Sequence, residues 1–174
     1  LRKEQEEVSL RSRHSPYALL RAPIAMSPDR PPDAMEEEVL HPYLGYVHKP
    51  KVDSGSAGAY YGFKEAPDTW MESWKNDTVV VGIFGGSVAQ FFYDEGAMEL
   101  VTALKSHPAF AGKEIVVKPL ALAGYKQPQQ LLTLNYYLSL GGHLDMMVNI
   151  DGVNELFLPS YENIPKGVFP FYPR

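Results

Sequence analysis

The stretch TVVVGIFGGSVAQ, from Thr78 to Gln90, constrains the fold of this chain more than any other. TVVVGIF is a continuous apolar run of strand length, the pattern of a strand buried on both faces. Two glycines and Ser87 follow, and then a stretch of helical spacing begins. A strand that needs cover on both faces and passes directly into a helix belongs to an α/β sheet. Two roles compete for Ser87: an N-cap for the helix, or a nucleophile held at the sheet edge by a turn that needs glycine.

The pattern then repeats. SVAQFFYDEGAMELVTALKSH places Val88, Phe91, Leu100, Val101 and Leu104 on a helical stripe, with Gly96 as an expected break. KEIVVKPLAL reads as a second buried strand. GYKQPQQLLTLNYYLSLGG puts Leu131, Leu134 and Leu138 on one helical face and ends in Gly141-Gly142, a C-terminal cap signal. LDMMVNI reads as a third strand. The order β-α-β-α-β implies parallel strands with right-handed crossovers, hence a three-layer α/β/α sheet over residues 78–174. Its ligands would bind beyond the carboxyl ends of the strands.

Residues 1–77 read differently, as an extended arm that packs on the core. The charged start LRKEQEEVSLRSRH is expected to be a solvated helix end, and the proline-rich RAPIAMSPDRPPDAMEEE to be extended or irregular. Tyr43, Tyr46, Tyr60, Tyr61 and Phe63 are expected to be packing anchors for short strands and turns. The 174 residues carry a net charge of −5, which argues against a general nucleic-acid partner, because neutralising phosphates needs a basic face. With no cysteine there is no disulfide, thiolate chemistry or cysteine-held metal. No apolar run approaches the ~18 residues of a membrane span.

Three short motifs fall at the ends of the three strands: Gly85-Gly86-Ser87, Ala123-Gly124 and Asp151-Gly152-Val153-Asn154. The first is neither a dinucleotide fingerprint nor a P-loop, since the required glycine spacing and the Gly-Lys-Ser/Thr are missing. Gly85-x-Ser87-x-Ala89 approximates a nucleophile elbow. A glycine after the second strand lets a backbone N–H approach a ligand. The carboxamide of Asn154 donates hydrogen bonds while staying neutral. Together these residues suit acyl transfer: Ser87 as nucleophile, and the N–H groups of Ser87 and Gly124 with the Asn154 side chain as oxyanion donors.

On these motifs the chain resembles the SGNH hydrolases, the GDSL esterase/lipase superfamily. IFGGSVA is similar to that family's Ser block, LALAGYKQPQQL to its Gly block and Gly152-Val153-Asn154-Glu155 to its Asn block. Gly86 stands in place of the Asp of Gly-Asp-Ser, as in one branch of the family, and Glu155 in place of the Asp after the Asn. HPYLGYV and YYGF also resemble lead-in segments of that branch. The resemblance covers residues 78–160. It implies a flavodoxin-like sheet, a serine-dependent esterase or deacetylase without cofactor or metal, and catalytic Ser87, Gly124 and Asn154. The implied substrates are small carboxylic esters, acetylated sugars or lipids. The branch also implies an upstream membrane anchor and an extracytoplasmic or membrane-anchored protein.

The family's base is a His in a late Asp-x-x-His block, and this sequence contains none. His14, His41 and His48 lie in the arm, His107 follows the first helix, and His143 sits in the turn before the third strand, at the opposite end of the sheet from Ser87. All five are expected in turns or on the surface. LPSYENIPKGVFPFYPR reads as a proline-rich aromatic loop rather than a final helix. The sheet is therefore expected to be incomplete, with Asp and His supplied by a C-terminal remainder or a second chain that adds strands. Two rivals stand beside ester hydrolysis: a non-catalytic SGNH-like binding or assembly module, and acyl transfer to a sugar at the same site.

Overall fold

Strand β3 (Thr78–Gly85) forms the centre of a three-stranded parallel sheet. The structure, a computed structural model, describes residues 38–49, 61–63 and 77–173. Strand β4 (Glu114–Pro119) lies on one side of β3 and β5 (Met146–Ile150) on the other. Val80 pairs with Val116, and Ile83 with both Pro119 and Val148. Every β3 residue after Thr78 is buried, as the continuous apolar run requires.

Helices flank this sheet. Helix α1 (Ser87–Ser106) packs on Val79, Val81 and Ile83 through Ala89, Phe92, Tyr93, Leu100, Val101 and Leu104. Helix α2 (Gln129–Ser139) shares a second cluster with Phe84, through Leu134, Tyr136 and Tyr137. Alternate residues of β3 thus serve opposite faces. The fold is mixed α/β.

Three expectations need correction. Helix α1 runs unbroken through Gly96, where an added Cβ would meet only the Phe92 ring at an ordinary 3.5 Å. Its inward stripe starts at Ala89 and Phe92, so Val88 and Phe91 are exposed. In α2, Leu131 and Leu138 are 54% and 46% exposed, and only Leu134 of the expected stripe packs inward. The buried positions are Gln129, Gln130, Thr133 and Tyr137. They carry their own partners: Gln129 Nε2 donates to the Leu44 carbonyl at 2.8 Å, and Thr133 Oγ1 to the Gln129 carbonyl at 2.8 Å. The end of α2 fits its glycines. The Gly142 N–H donates to the Tyr137 carbonyl and the Gly141 N–H to the Leu138 carbonyl, both at 3.0 Å, with Gly141 at φ +89. That pairing is a Schellman cap.

The segment after β5 is helical as far as Lys166 rather than a loop throughout, and residues 167–173 are irregular. It forms α3 (Val153–Leu158), then a wide turn over Pro159–Asn163 and a 3-10 turn over Ile164–Lys166. The prolines fall at the first or second position of each turn, where no N–H is needed.

Strands β1 (Glu38–His41) and β2 (Gly45–His48) form an antiparallel hairpin. Leu44, Tyr46 and Val47 bury against Leu122 and Tyr125, in the loop after β4. The contact is hydrogen-bonded in both directions. Tyr46 Oη donates to the Ala123 carbonyl at 3.0 Å, and Tyr125 Oη donates to the Tyr46 carbonyl at 2.7 Å. Burial, first of all, drives the Tyr125 pKa upward, with Tyr46 and Glu38 adding to it. Phe63 is buried beside Tyr137; Tyr43 is exposed on one side but its ring stacks on Tyr136 of α2 with centroids 6.2 Å apart, and Tyr61 is exposed. The readings of the charged start, the proline-rich stretch, His14 and Tyr60 lie outside the described residues. Among the described residues, no helix is long and apolar enough to cross a membrane.

Tyr125→Phe is expected to remove the bond to Tyr46 and lower stability by about 1 kcal/mol, a fall of roughly 2–4 °C in a thermal melt. An unchanged melting temperature would mean that this bond does not hold the hairpin.

Candidate functional site

The strand order β4-β3-β5 reverses at β3: the chain leaves it first toward β4 and then returns to its other side as β5. A crevice opens at such a reversal, beyond the carboxyl ends of the two strands. The structure has a cleft of about 70 Å³ there, lined by Gly86, Ser87 and Val88 after β3, by Ile150 at the end of β5 and by residues 151–155 after it. Ser87 and Asn154 therefore share one cleft.

The glycines of the first turn are required by close packing. Gly85 has φ +139, and a Cβ there would strike the Ile150 carbonyl and Ala89. Gly86 is the N-cap of α1, and no side chain caps the helix. Ser87 is the first helical residue, so the N-cap role proposed for it does not hold. Its side chain is half-buried, and its hydroxyl makes no hydrogen bond among the described residues. A Cβ on Gly86 would land on Asn154 Nδ2 and lie 3.0 Å from the Tyr125 carbonyl. The missing side chain is what lets the carboxamide lie against this turn.

Asn154 stands at the second position of α3, and its Nδ2 donates to the Tyr125 carbonyl at 2.7 Å. That bond uses one of two amide protons and orients the other. Tyr125 closes a tight turn, its N–H donating to the Leu122 carbonyl at 2.9 Å, with Gly124 at φ +81. A positive φ at the third position is the type II signature, which favours glycine there. Gly124 lies outside the cleft lining and reaches the site through its neighbour Tyr125. Two further bonds fasten this loop to the Ser87 side. The Ala123 N–H donates to Gln90 Oε1 of α1 at 3.0 Å, and the Leu122 N–H donates to the Gly85 carbonyl at 3.2 Å.

A polar bracket at the cleft rim escaped the sequence reading. Glu155 Oε2 accepts from the Gly152 N–H at 2.7 Å, while Oε1 accepts from the Gln127 N–H at 2.9 Å and from Gln130 Nε2 at 3.0 Å. Asp151 accepts from the side chains of Gln127, Gln130 and Asn149. Burial pushes the Glu155 pKa up, but hydrogen bonds from the Gly152, Glu155 and Gln127 N–H groups and the Gln130 side chain outweigh it. The carboxyl is held below its usual range. The local signal was Gly152 three residues before Glu155, half of a capping box. The partners Gln127, before α2, and Gln130, within it, had none. Lys126 in the same loop is buried, and its ammonium donates to the Tyr172 carbonyl, which Asn163 Nδ2 also contacts at 3.2 Å. Burial lowers the Lys126 pKa, against the opposing pull of Glu162 and Glu155.

Of the described histidines, none lines the cleft. His41 Nδ1 accepts from the Tyr43 and Leu44 N–H groups. His107 closes the far end of α1, some 30 Å of helix from Ser87. His143 Nε2 lies 3.2 Å from Asp145 Oδ1, before β5 and at the opposite end of the sheet. The described residues thus supply a hydroxyl, a carboxamide donor and a bracketed loop, but no histidine at the cleft. Comparison of the chain with protein-family models, with curated proteins and with solved structures finds no match in any of the three.

Proposed function

We propose that this chain carries the nucleophile and oxyanion hole of a serine-dependent ester hydrolase of the SGNH type. The observation that carries the reading is the joint placement of the Ser87 hydroxyl and the Asn154 carboxamide in one cleft at the strand-order reversal. The carboxamide is already oriented by the Tyr125 carbonyl. The order β4-β3-β5 corresponds to the first three strands of a flavodoxin-like sheet, which favours the finer fold assignment.

In this mechanism Ser87 Oγ attacks the ester carbonyl carbon and gives its proton to a histidine. The carbonyl oxygen becomes an oxyanion, and the Ser87 N–H and the free Asn154 Nδ2 proton donate to it from the cleft; the N–H of Gly124, on the turn beside the cleft that orients Asn154, is the third donor of the SGNH reading. Collapse expels the alcohol, which takes the proton from the histidine. Water then releases the acid by the same steps in reverse. The histidine and its aspartate come from outside the described residues, on a C-terminal portion or a second chain that extends the sheet. No cofactor enters these steps. The substrate is a carboxylic ester: a small ester, an acetylated sugar or a lipid. A sugar hydroxyl replacing water would make the same site an acyltransferase.

Asn154→Ala is expected to lower kcat more than tenfold with KM nearly unchanged, because its donor acts mainly once charge develops on the oxygen. A large rise in KM at constant kcat would make Asn154 a ground-state binding residue instead. A fluorophosphonate probe is expected to label Ser87 in the complete protein. Absence of both labelling and ester hydrolysis would favour the non-catalytic binding module.

A further inference from the structure

We infer that Glu155 is a positioning residue for the oxyanion hole, locking the loop that carries Gly124 and Tyr125 to the helical turn that carries Asn154. The inference rests on the acyl-transfer reading of the same cleft.

The three proposed oxyanion donors sit on three different elements, with Ser87 at the start of α1. Gly124 belongs to the loop after β4, and Asn154 to the first turn of α3. Their relative position is set by whatever joins those elements near the cleft. The Asn154–Tyr125 bond is one joint, but it consists of the donor group itself and cannot also be its rigid support. Asp151 adds side-chain bonds from Gln127 and Gln130, but the joint that holds the loop backbone itself is Glu155. One carboxylate oxygen is fixed on α3's own turn by the Gly152 N–H. The other takes the Gln127 N–H, two residues past Tyr125, and Gln130 Nε2 from the first turn of α2. A single side chain thus ties the β5–α3 turn, the Gly124 loop and α2 together.

The chemistry of the tie is specific to a carboxylate. Three donors converge on two acceptor oxygens, with no acceptor among them. A carboxamide offers one oxygen and two N–H groups, so it would turn a donor toward either Gly152 or the Gln127 and Gln130 pair. The negative charge beside an oxyanion hole would oppose catalysis if it were bare. Here it is engaged by three surrounding donors and remains at the rim. A displacement of about 1 Å at a catalytic group costs on the order of 100-fold in rate. A loosened tie should therefore appear in kcat.

The test uses Glu155→Ala and the volume-conserving Glu155→Gln in the complete protein, with two readouts. The first is ester hydrolysis per folded molecule: kcat is expected to fall about 10- to 100-fold with KM within twofold. The second is the pair of Asn154 side-chain amide proton shifts in 15N-labelled protein, assigned by their loss in Asn154→Ala. The separation between them, set by the bond to Tyr125, is expected to collapse toward that of a free carboxamide. Should Glu155→Ala fail to fold, Glu155→Gln carries both readouts. Unchanged Asn154 shifts in a folded variant overturn the inference whatever the activity. A lower melting temperature with kcat and shifts unchanged overturns it too, leaving Glu155 a stabilising residue only. Altered shifts in a protein whose wild type hydrolyses no ester support the tie and overturn the acyl-transfer reading.

Discussion

Ser87→Ala is expected to abolish ester hydrolysis and probe labelling, a loss on the order of 10⁴–10⁶-fold in kcat, while leaving the protein's stability within about 0.5 kcal/mol of wild type. The two halves of this expectation come from different observations. The kinetic half follows from the role proposed for Oγ: without it no acyl-enzyme forms, and the remaining donors only polarise a substrate with nothing to attack it. The thermodynamic half follows from geometry. Had Ser87 been the N-cap, alanine would cost roughly 1 kcal/mol. Gly86 occupies that position, and the Ser87 hydroxyl bonds nothing among the described residues. A thermal melt and a hydrolysis assay on the same sample separate the cases. Retained hydrolysis would end the esterase mechanism, whereas a drop of several degrees with activity intact would return Ser87 to a structural role.

Gly86→Ala is expected to be nearly as damaging from a position with no side chain. The added methyl lands on Asn154 Nδ2 and crowds the Tyr125 carbonyl. The cheapest relief is rotation of the carboxamide, which breaks its bond to Tyr125 and removes the donor from the cleft. The alternative is movement of the turn, which carries Ser87 with it. Either response disables the site, and a fall in kcat of about 10³-fold is expected, at the upper end for a lost oxyanion donor. The stability cost is the smaller effect, about 1–3 kcal/mol for overpacking, because φ at Gly86 is −90 and needs no glycine. A kcat within tenfold of wild type would mean that neither Asn154 nor Ser87 is held as described. A crystal structure of the variant would show which of the two moved.

The parts of this fold that were legible in the sequence are those governed by local pattern. The run from Val79 to Phe84 announced a doubly covered strand, and Gly141-Gly142 announced the end of α2. What escaped depends on partners distant in sequence. Leucine spacing alone put Leu131 and Leu138 inside α2. The real inward face is Gln129, Thr133 and Tyr137, because Gln129 has an acceptor at Leu44, eighty-five positions earlier. Nothing in the periodicity of the helix reveals that bond. The outward placement of Val88 and Phe91 has a similar origin: small Ala89 sits where α1 crowds Gly85, and that choice sets the rotation of the helix. At the site, the strand-end motifs exposed Ser87 and Asn154 directly. The Glu155 bracket stayed hidden because Gln127 and Gln130 look like ordinary helix-entry residues until α3 is folded against them.

The reciprocal tyrosine bonds between the hairpin and the Leu122–Tyr125 turn bear on any transplant of this site. Tyr46 grips the carbonyl immediately before Gly124, and Tyr125, which orients Asn154, grips Tyr46 in return. A protein engineer moving the three strand-end motifs onto another α/β scaffold would therefore carry over the letters but lose their foundation. The smallest portable unit includes β2, a segment seventy-seven positions upstream of the turn it steadies. A screen for inactive alleles would meet the same boundary and recover Tyr46 alongside the residues of the cleft.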